Sequence, residues 1–338
     1  MTAHRARFFE RAADGRLRCT LCPRDCILAD GQAGFCFVRM NEGGEMVSLA
    51  HGRSTGFAAD PVEKKPLYHF LPGTQVLSFG TVGCNLGCRF CQNWSTSKAR
   101  ESGRAMIEAT AEQVVDLAEA NGCPSIAFTY NDPVIWAEWA IDVAREARRR
   151  GVRTVFVTSG YVAERAREEI FSWMDAVNVD LKAFTEPFYA KVTLSHLGPV
   201  LETLEWLARQ GRTWTEVTNL LIPGLNDDPA EARRLSEWIG SHMGQDVPLH
   251  FSAFHPAWKM TDVPRTPPET LTRARRIARE VGLRHVYTGN VRDPEGQSTL
   301  CPGCGATVIE RGWNEVSRNR LGPGGSCPGC GERIAGRF

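Results

Sequence analysis

Along the middle of the chain, apolar residues fall into short continuous runs, separated by stretches in which they recur every three or four positions. The runs at 76–82, 125–130, 154–158, 176–181, 213–222, 248–254 and 285–289 predict strands, being short, apolar and bounded by turn residues. Between most of them the period lengthens to that of a helix. Asp132-Pro133 opens a predicted helix running to 150, with an acidic cap and proline in the first turn. Asp228-Pro229 repeats the device ahead of 231–242, and Thr266-Pro267 ahead of 269–281. Gly151, Gly211 and Gly282 stand where helices end in a left-handed residue. Alternating buried strands and helices predict an α/β fold, a partial or full (β/α) barrel of parallel strands. In such a barrel the chemistry belongs at the C-terminal strand ends.

The flanks read differently. Residues 1–72 are rich in Cys and Gly and short of long helices, and predict a small N-terminal module. Residues 73–292 form the barrel, and 293–338 carry a duplicated Cys-Pro-Gly-Cys-Gly at 301–305 and 327–331. Charge is balanced, 40 basic against 39 acidic residues, which leaves no footprint for nucleic acid or an anionic membrane. No apolar secretory segment opens the sequence, and no run approaches the roughly 20 apolar residues of a membrane span. A cytoplasmic protein is expected.

That expectation changes the meaning of twelve cysteines. In a reducing compartment, clustered thiols read as metal ligands rather than disulfides. Eleven cluster: Cys19, Cys22, Cys26 and Cys36; then Cys84, Cys88 and Cys91; then Cys301, Cys304, Cys327 and Cys330. Cys123 stands alone and reads as a buried apolar thiol. The last four form two CxxC knuckles, a closed set suited to structural zinc, with Gly305 and Gly331 supplying the positive φ of knuckle turns. The first four suit zinc, with a second iron–sulfur cluster as the alternative. The central three follow directly on the first barrel strand. Three thiolates are one short of a structural zinc site, whereas a cubane held by three keeps one iron without a protein ligand. A zinc site completed by His or water is the competing reading.

Cys84-x3-Cys88-x2-Cys91, with Phe90 before the last cysteine, resembles the signature of radical S-adenosylmethionine (SAM) enzymes. More closely, the chain resembles the pyruvate formate-lyase activating enzymes and, within that branch, the AmmeMemoRadiSam group. The segments that carry this are DPVEKKPLYHFLPG (60–73), TVGCNLGCRFCQNW (81–94), FTYNDP (128–133), FVTSGY (156–161), NVDLKAF (178–184), NLLIPGLND (219–227) and FHP (254–256). The resemblance implies a [4Fe–4S] cluster on Cys84, Cys88 and Cys91 with SAM on the open iron. It also implies reductive cleavage of SAM to a 5′-deoxyadenosyl radical, hydrogen abstraction from a protein or small-molecule substrate, and a flavodoxin or ferredoxin electron donor. Memo-like and AMMECR-like proteins are the partners it suggests.

The same resemblance nominates cofactor contacts. Asn131 and Asp132 replace a family motif that meets the SAM amino group. Asp132 stands where relatives carry glutamate, so it is either a shortened ligand or the cap of the helix behind it. Thr158, Ser159 and Gly160 follow the third strand and correspond to a SAM-contacting turn. Asp180 and Lys182 alternate on the fourth strand, facing one side, as SAM contacts or as a rim ion pair. Phe90, His255 and 221–224 complete the set. Thr193 stands where relatives often carry cysteine. The competing function is a multi-zinc module binding protein or nucleic acid, which neutral charge and the long barrel disfavour.

Overall fold

The computed structural model describes residues 4–100 and 105–338. Its centre is one eight-stranded sheet: β1 (Phe57–Pro61), β2 (Gln75–Phe79), β3 (Ser125–Phe128), β4 (Arg153–Thr158), β5 (Ala176–Asp180), β6 (Trp214–Leu221), β7 (Leu249–Ala253) and β8 (Val286–Gly289). The strands lie side by side in chain order, and β1 and β8 stand at the two ends, so the barrel is partial. From β2 to β8 every pairing is parallel; β1 joins β2 antiparallel. The strand β1 thus comes from the segment before residue 72.

Six helices fill the crossovers: α1 (Ala111–Ala120), α2 (Ala137–Arg149), α3 (Glu164–Phe171), α4 (Gly198–Gln210), α5 (Pro229–His242) and α6 (Pro268–Val281). Two predicted starts differ in detail. Pro133–Trp136 winds as a 3-10 turn before α2 begins, with the Asp132 carboxylate accepting from Val134 N–H. Thr266 does not cap α6, whose N-cap is Pro267; its hydroxyl donates to Leu221 O and accepts from Phe254 N–H, tying β6 to β7.

Strands read as continuous apolar runs because both faces are covered. Phe79, Phe128 and Phe156 are ladder neighbours, and Trp136 and Trp139 pack on that row, with ring centroids 4.9 Å apart between Phe79 and Trp139. The alternate positions are smaller. Val76, Ala127, Val155 and Ala176 meet Val62, Leu67 and Phe70, which close one end of the barrel. Glu216 anchors that plug, accepting from Tyr68 N–H at 2.9 Å, His69 N–H at 2.8 Å and pairing with His250 Nε2 at 2.7 Å.

Both flanking segments are locked to the barrel by buried arginines. Arg39, in the N-terminal strand Arg39–Glu42, forms an ion pair at 2.9 Å with Glu138 of α2, both side chains 2% exposed. Glu138 also accepts from Arg7 N–H at 2.8 Å. Arg311, in the C-terminal strand Thr307–Gly312, donates to Tyr68 O at 2.6 Å and Thr299 Oγ1 at 2.7 Å. A buried guanidinium stripped of its carboxylate is strongly destabilising. Glu138→Ala should therefore lower the unfolding free energy by about 3–5 kcal/mol, read as a drop in denaturant midpoint. An unchanged midpoint would show that Arg39 can reach water.

Candidate active site

The three central cysteines sit in the loop that leaves β2 at the C-terminal end of the sheet, and that loop has little regular structure before the short helix Trp94–Ser97. It is held from outside. Asn131, just after β3, donates from Nδ2 to Gly83 O at 2.8 Å, Thr81 Oγ1 at 3.1 Å and Val82 O at 3.3 Å. Its Oδ1 accepts from Thr81 N–H and Trp136 Nε1–H, both at 3.2 Å. Asn85 Nδ2 donates to Tyr161 O at 3.1 Å, and Gly87 N–H to Thr193 O at 2.8 Å. Gly83 has φ +83°, and a Cβ there would lie 2.0 Å from Cys36 O, so no other residue fits.

The thiols sit among positive charges. Burial, then the nearby Asp132 charge, pushes the Cys84 thiol up; burial pushes Cys88 up to about 12, with Lys182 pulling the other way. Cys91 Sγ lies 3.1 Å from Ser97 Oγ, and Lys98 Nζ donates to Leu86 O at 2.6 Å inside the loop. Lys182 Nζ pairs with Asp180 at 2.7 Å and stands 5.9 Å from the Phe90 ring centroid. Although burial opposes its charge, Asp180 and the thiols hold the Lys182 pKa above its ordinary value. Soft thiolates beside two ammonium groups suit an anionic iron–sulfur cluster.

Several nominated contacts turn out to serve the chain itself. Asn131 has both ends of its carboxamide bound to the chain, to the cysteine loop and to Trp136 in the turn ahead of α2, which makes it a positioning residue. Asp132 is buried, with Oδ1 accepting from the Thr158 hydroxyl at 2.8 Å and Val134 N–H at 3.2 Å. Its Oδ2 accepts from Ser159 N–H at 3.0 Å and from the Ser159 hydroxyl. Four donors saturate the carboxylate, so Asp132 is a cap that knots the ends of β3 and β4. The hydroxyls of Thr158 and Ser159 are occupied in the same knot. Gly160 turns the chain away at φ +68°.

The remaining candidates border the loop differently. Lys182 lies close to Cys88 and Cys91, and Asp180 pairs with Lys182. His255 is half-buried after β7, and its segment reaches the loop through Lys259 N–H, which donates to Arg89 O at 3.0 Å. Thr193 is buried, its hydroxyl bonded to Tyr189 O and Ser195 Oγ. Residues that sequence patterns did not single out also contribute: Lys98, Ser97, Tyr189, whose hydroxyl accepts from Lys182 N–H at 3.0 Å, and the stacked pair Trp94 and Trp258. Trp94 closes the segment 81–94 named above, and the others carry no motif that would have marked them.

The terminal cysteines behave as a metal site. Cys301, Cys304, Cys327 and Cys330 bring their sulfurs within 4.8 Å of one another. Cys301 to Cys330 is 3.5 Å and Cys304 to Cys327 is 3.7 Å. A zinc–sulfur bond of about 2.3 Å gives a tetrahedral edge of about 3.8 Å. Gly305 and Gly331 have φ of +76° and +81°, as the knuckle turns require. Cys123 is buried and free.

With this geometry in hand, relatives can be compared. The model of the radical SAM superfamily matches residues 79–235. The chain is 42% identical over 306 residues to the uncharacterised Methanocaldococcus jannaschii protein MJ0808, spanning 90% of this chain and 91% of that protein. It is 23% identical over 233 residues to the pyruvate formate-lyase 1-activating enzyme of Escherichia coli K12, spanning 64% of this chain and 93% of that enzyme. Among solved structures, a radical SAM methyltransferase from Sphaerobacter thermophilus shares the fold, with a TM-score of 0.51 at 20% identity over 66% of this chain and 68% of that one. The chain belongs to the radical SAM superfamily, and SAM and a [4Fe–4S] cluster are the cofactors that membership implies. The zinc-module alternative loses its ground.

Two outcomes test the site. Asp132→Ala removes the acceptor of a buried knot and should lower stability by roughly 1–3 kcal/mol, measured as a shift in thermal or urea midpoint. Anaerobic metal analysis of a Cys304→Ser/Cys330→Ser variant should show loss of about one zinc per chain with iron unchanged.

Proposed function

We propose that this chain holds a [4Fe–4S] cluster on Cys84, Cys88 and Cys91, binds SAM beside it, and abstracts a hydrogen atom from a C–H bond of another protein. The observation that carries the reading is the placement of Cys84, Cys88 and Cys91 in one loop at the C-terminal strand ends, with Lys98 bonded inside that loop and Lys182, paired with Asp180, beside Cys88. The donor set fits the group. Thiolates suit iron, and the positive charges offset those of the sulfurs.

When bound, the reduced cluster supplies the electron that cleaves the S–C5′ bond of SAM. The chain contributes the rest. Asn131 and Thr193 hold the loop at a fixed position over the sheet. Asp180 orients the Lys182 ammonium, and Tyr189 fixes the backbone behind it. Phe90 is buried and offers an apolar wall, with 221–224 and His255 on the far side as further candidate contacts. The plug of Val62, Leu67 and Phe70 closes the opposite, N-terminal end of the barrel.

A protein substrate is supported by the relatives named as activating enzymes of pyruvate formate-lyase. Trp94 and Leu194, 43% and 47% exposed beside the loop, would meet such a substrate. A flavodoxin or ferredoxin donor belongs to the same reading, as do Memo-like or AMMECR-like partners and a cytoplasmic setting. Twelve free cysteines agree with a reducing compartment. Among the described residues no helix is long and apolar enough to cross a membrane.

Anaerobic protein given SAM and dithionite should release 5′-deoxyadenosine and methionine in equal amounts. The Cys84→Ala/Cys88→Ala/Cys91→Ala variant should fall to background. Lys182→Ala should weaken SAM binding by roughly tenfold, about 1.4 kcal/mol. Product formation that survives loss of all three cysteines would overturn the assignment.

A further inference from the structure

The four N-terminal cysteines differ from the C-terminal four in one measurable way. Among the described residues, the two groups of three or more potential ligands whose donor atoms all lie within 4.8 Å are Cys301, Cys304, Cys327 and Cys330, and His4, His51 and Asp142. Cys19, Cys22, Cys26 and Cys36 do not gather that closely. They stand around one cavity, completed by Leu21, Arg24, Gly34, Arg39, Asn85 and Ile135. A single zinc ion draws its sulfurs to about 3.8 Å apart. Several irons with bridging sulfides keep their thiolates further apart and fill the space between them.

We propose that Cys19, Cys22, Cys26 and Cys36 hold a second, polynuclear iron–sulfur cluster, set against the loop that carries Cys84. All four are free; Cys19 and Cys36 are buried and Cys22 and Cys26 half-buried, which protects an oxygen-sensitive group. Arg39 lines the cavity, and its Nε is buried with no hydrogen-bond partner although its Nη1 is paired with Glu138. A guanidinium N–H with nothing to bond, on a side chain that lines the cavity with the four cysteines, suits the bridging or thiolate sulfurs of an anionic cluster.

The second observation is contact with the catalytic loop. Asn85, adjacent in sequence to Cys84, lines the cavity, and Arg24 Nε donates to its carbonyl. Cys36 O occupies the space that a side chain at Gly83 would need. The two thiol groups therefore share a wall. On the function proposed above, the second cluster accepts one electron from a flavodoxin- or ferredoxin-class donor and passes one electron inward, ending as it began. The site itself does not depend on that function.

The test uses the full-length Cys84→Ala/Cys88→Ala/Cys91→Ala variant, which leaves the N-terminal site intact. After anaerobic reconstitution with ferrous iron and sulfide, the variant should retain iron and acid-labile sulfide in equal amounts, up to about four of each per chain. It should also keep absorbance near about 400 nm. Adding Cys22→Ser and Cys26→Ser to it should remove the sulfide and leave the zinc of the C-terminal site, which reports that the chain is folded. A triple variant with no labile sulfide, whether it carries a second zinc or no further metal, would overturn the proposal. Mononuclear iron without sulfide would do the same. Because SAM cleavage is not the readout, failure of the proposed function would leave this result standing.

Discussion

Asn131 fastens the chain immediately ahead of Cys84, and the position of all three central thiols depends on how firmly that is done. One buried carboxamide bonds three acceptors on Thr81, Val82 and Gly83 and accepts from Thr81 and Trp136. Without it a loop of small residues and glycines would have no regular hydrogen-bonding of its own to define its path. The parallel sheet supplies the platform, since β3 ends one strand away from β2 and delivers Asn131 to the right height. Asp132, the next residue, uses its carboxylate to knot β3 to β4. Two adjacent polar residues thus turn a strand end into a clamp.

The rest of the molecule supports that clamp from both flanks. The Arg39–Glu138 pair ties the N-terminal strands to α2, the helix whose first turns follow the clamp. Removal of water makes the pair costly to break rather than strongly stabilising in itself. Arg311 and Glu216 do the corresponding work at the closed end of the barrel, where the plug and the C-terminal segment meet. The cysteine-rich flanks are therefore packed into the barrel.

Much of this was legible in the chain. Seven parallel strands follow the seven apolar runs because a doubly covered sheet needs apolar residues on both faces, a pattern visible without alignment. The terminal knuckles were readable from spacing, since metal chemistry constrains it tightly, and the fold does gather their sulfurs. The strand Phe57–Pro61 was not, because FAADP at a sheet edge carries almost no apolar signal. Thr266 looked like a cap, yet its hydroxyl bridges β6 and β7, a long-range choice no local pattern reveals. Asn131 and Asp132 were legible by resemblance as cofactor contacts, with a helix cap as the alternative for Asp132, and the fold shows that cap and the bonds from Asn131 to the cysteine loop. Their longer bonds reach residues 26 to 50 positions away, so only the fold discloses which parts of the chain these side chains hold together.

The central claim is that three sulfurs from the chain leave one iron of the cluster open to SAM. Mössbauer spectroscopy of iron-57 protein tests it most directly, using a Cys22→Ser/Cys26→Ser variant so that the N-terminal site does not contribute. Addition of SAM should shift the signal of a single iron and leave its neighbours unchanged. A spectrum indifferent to SAM, or one already showing four equivalent thiolate-bound irons, would contradict the account.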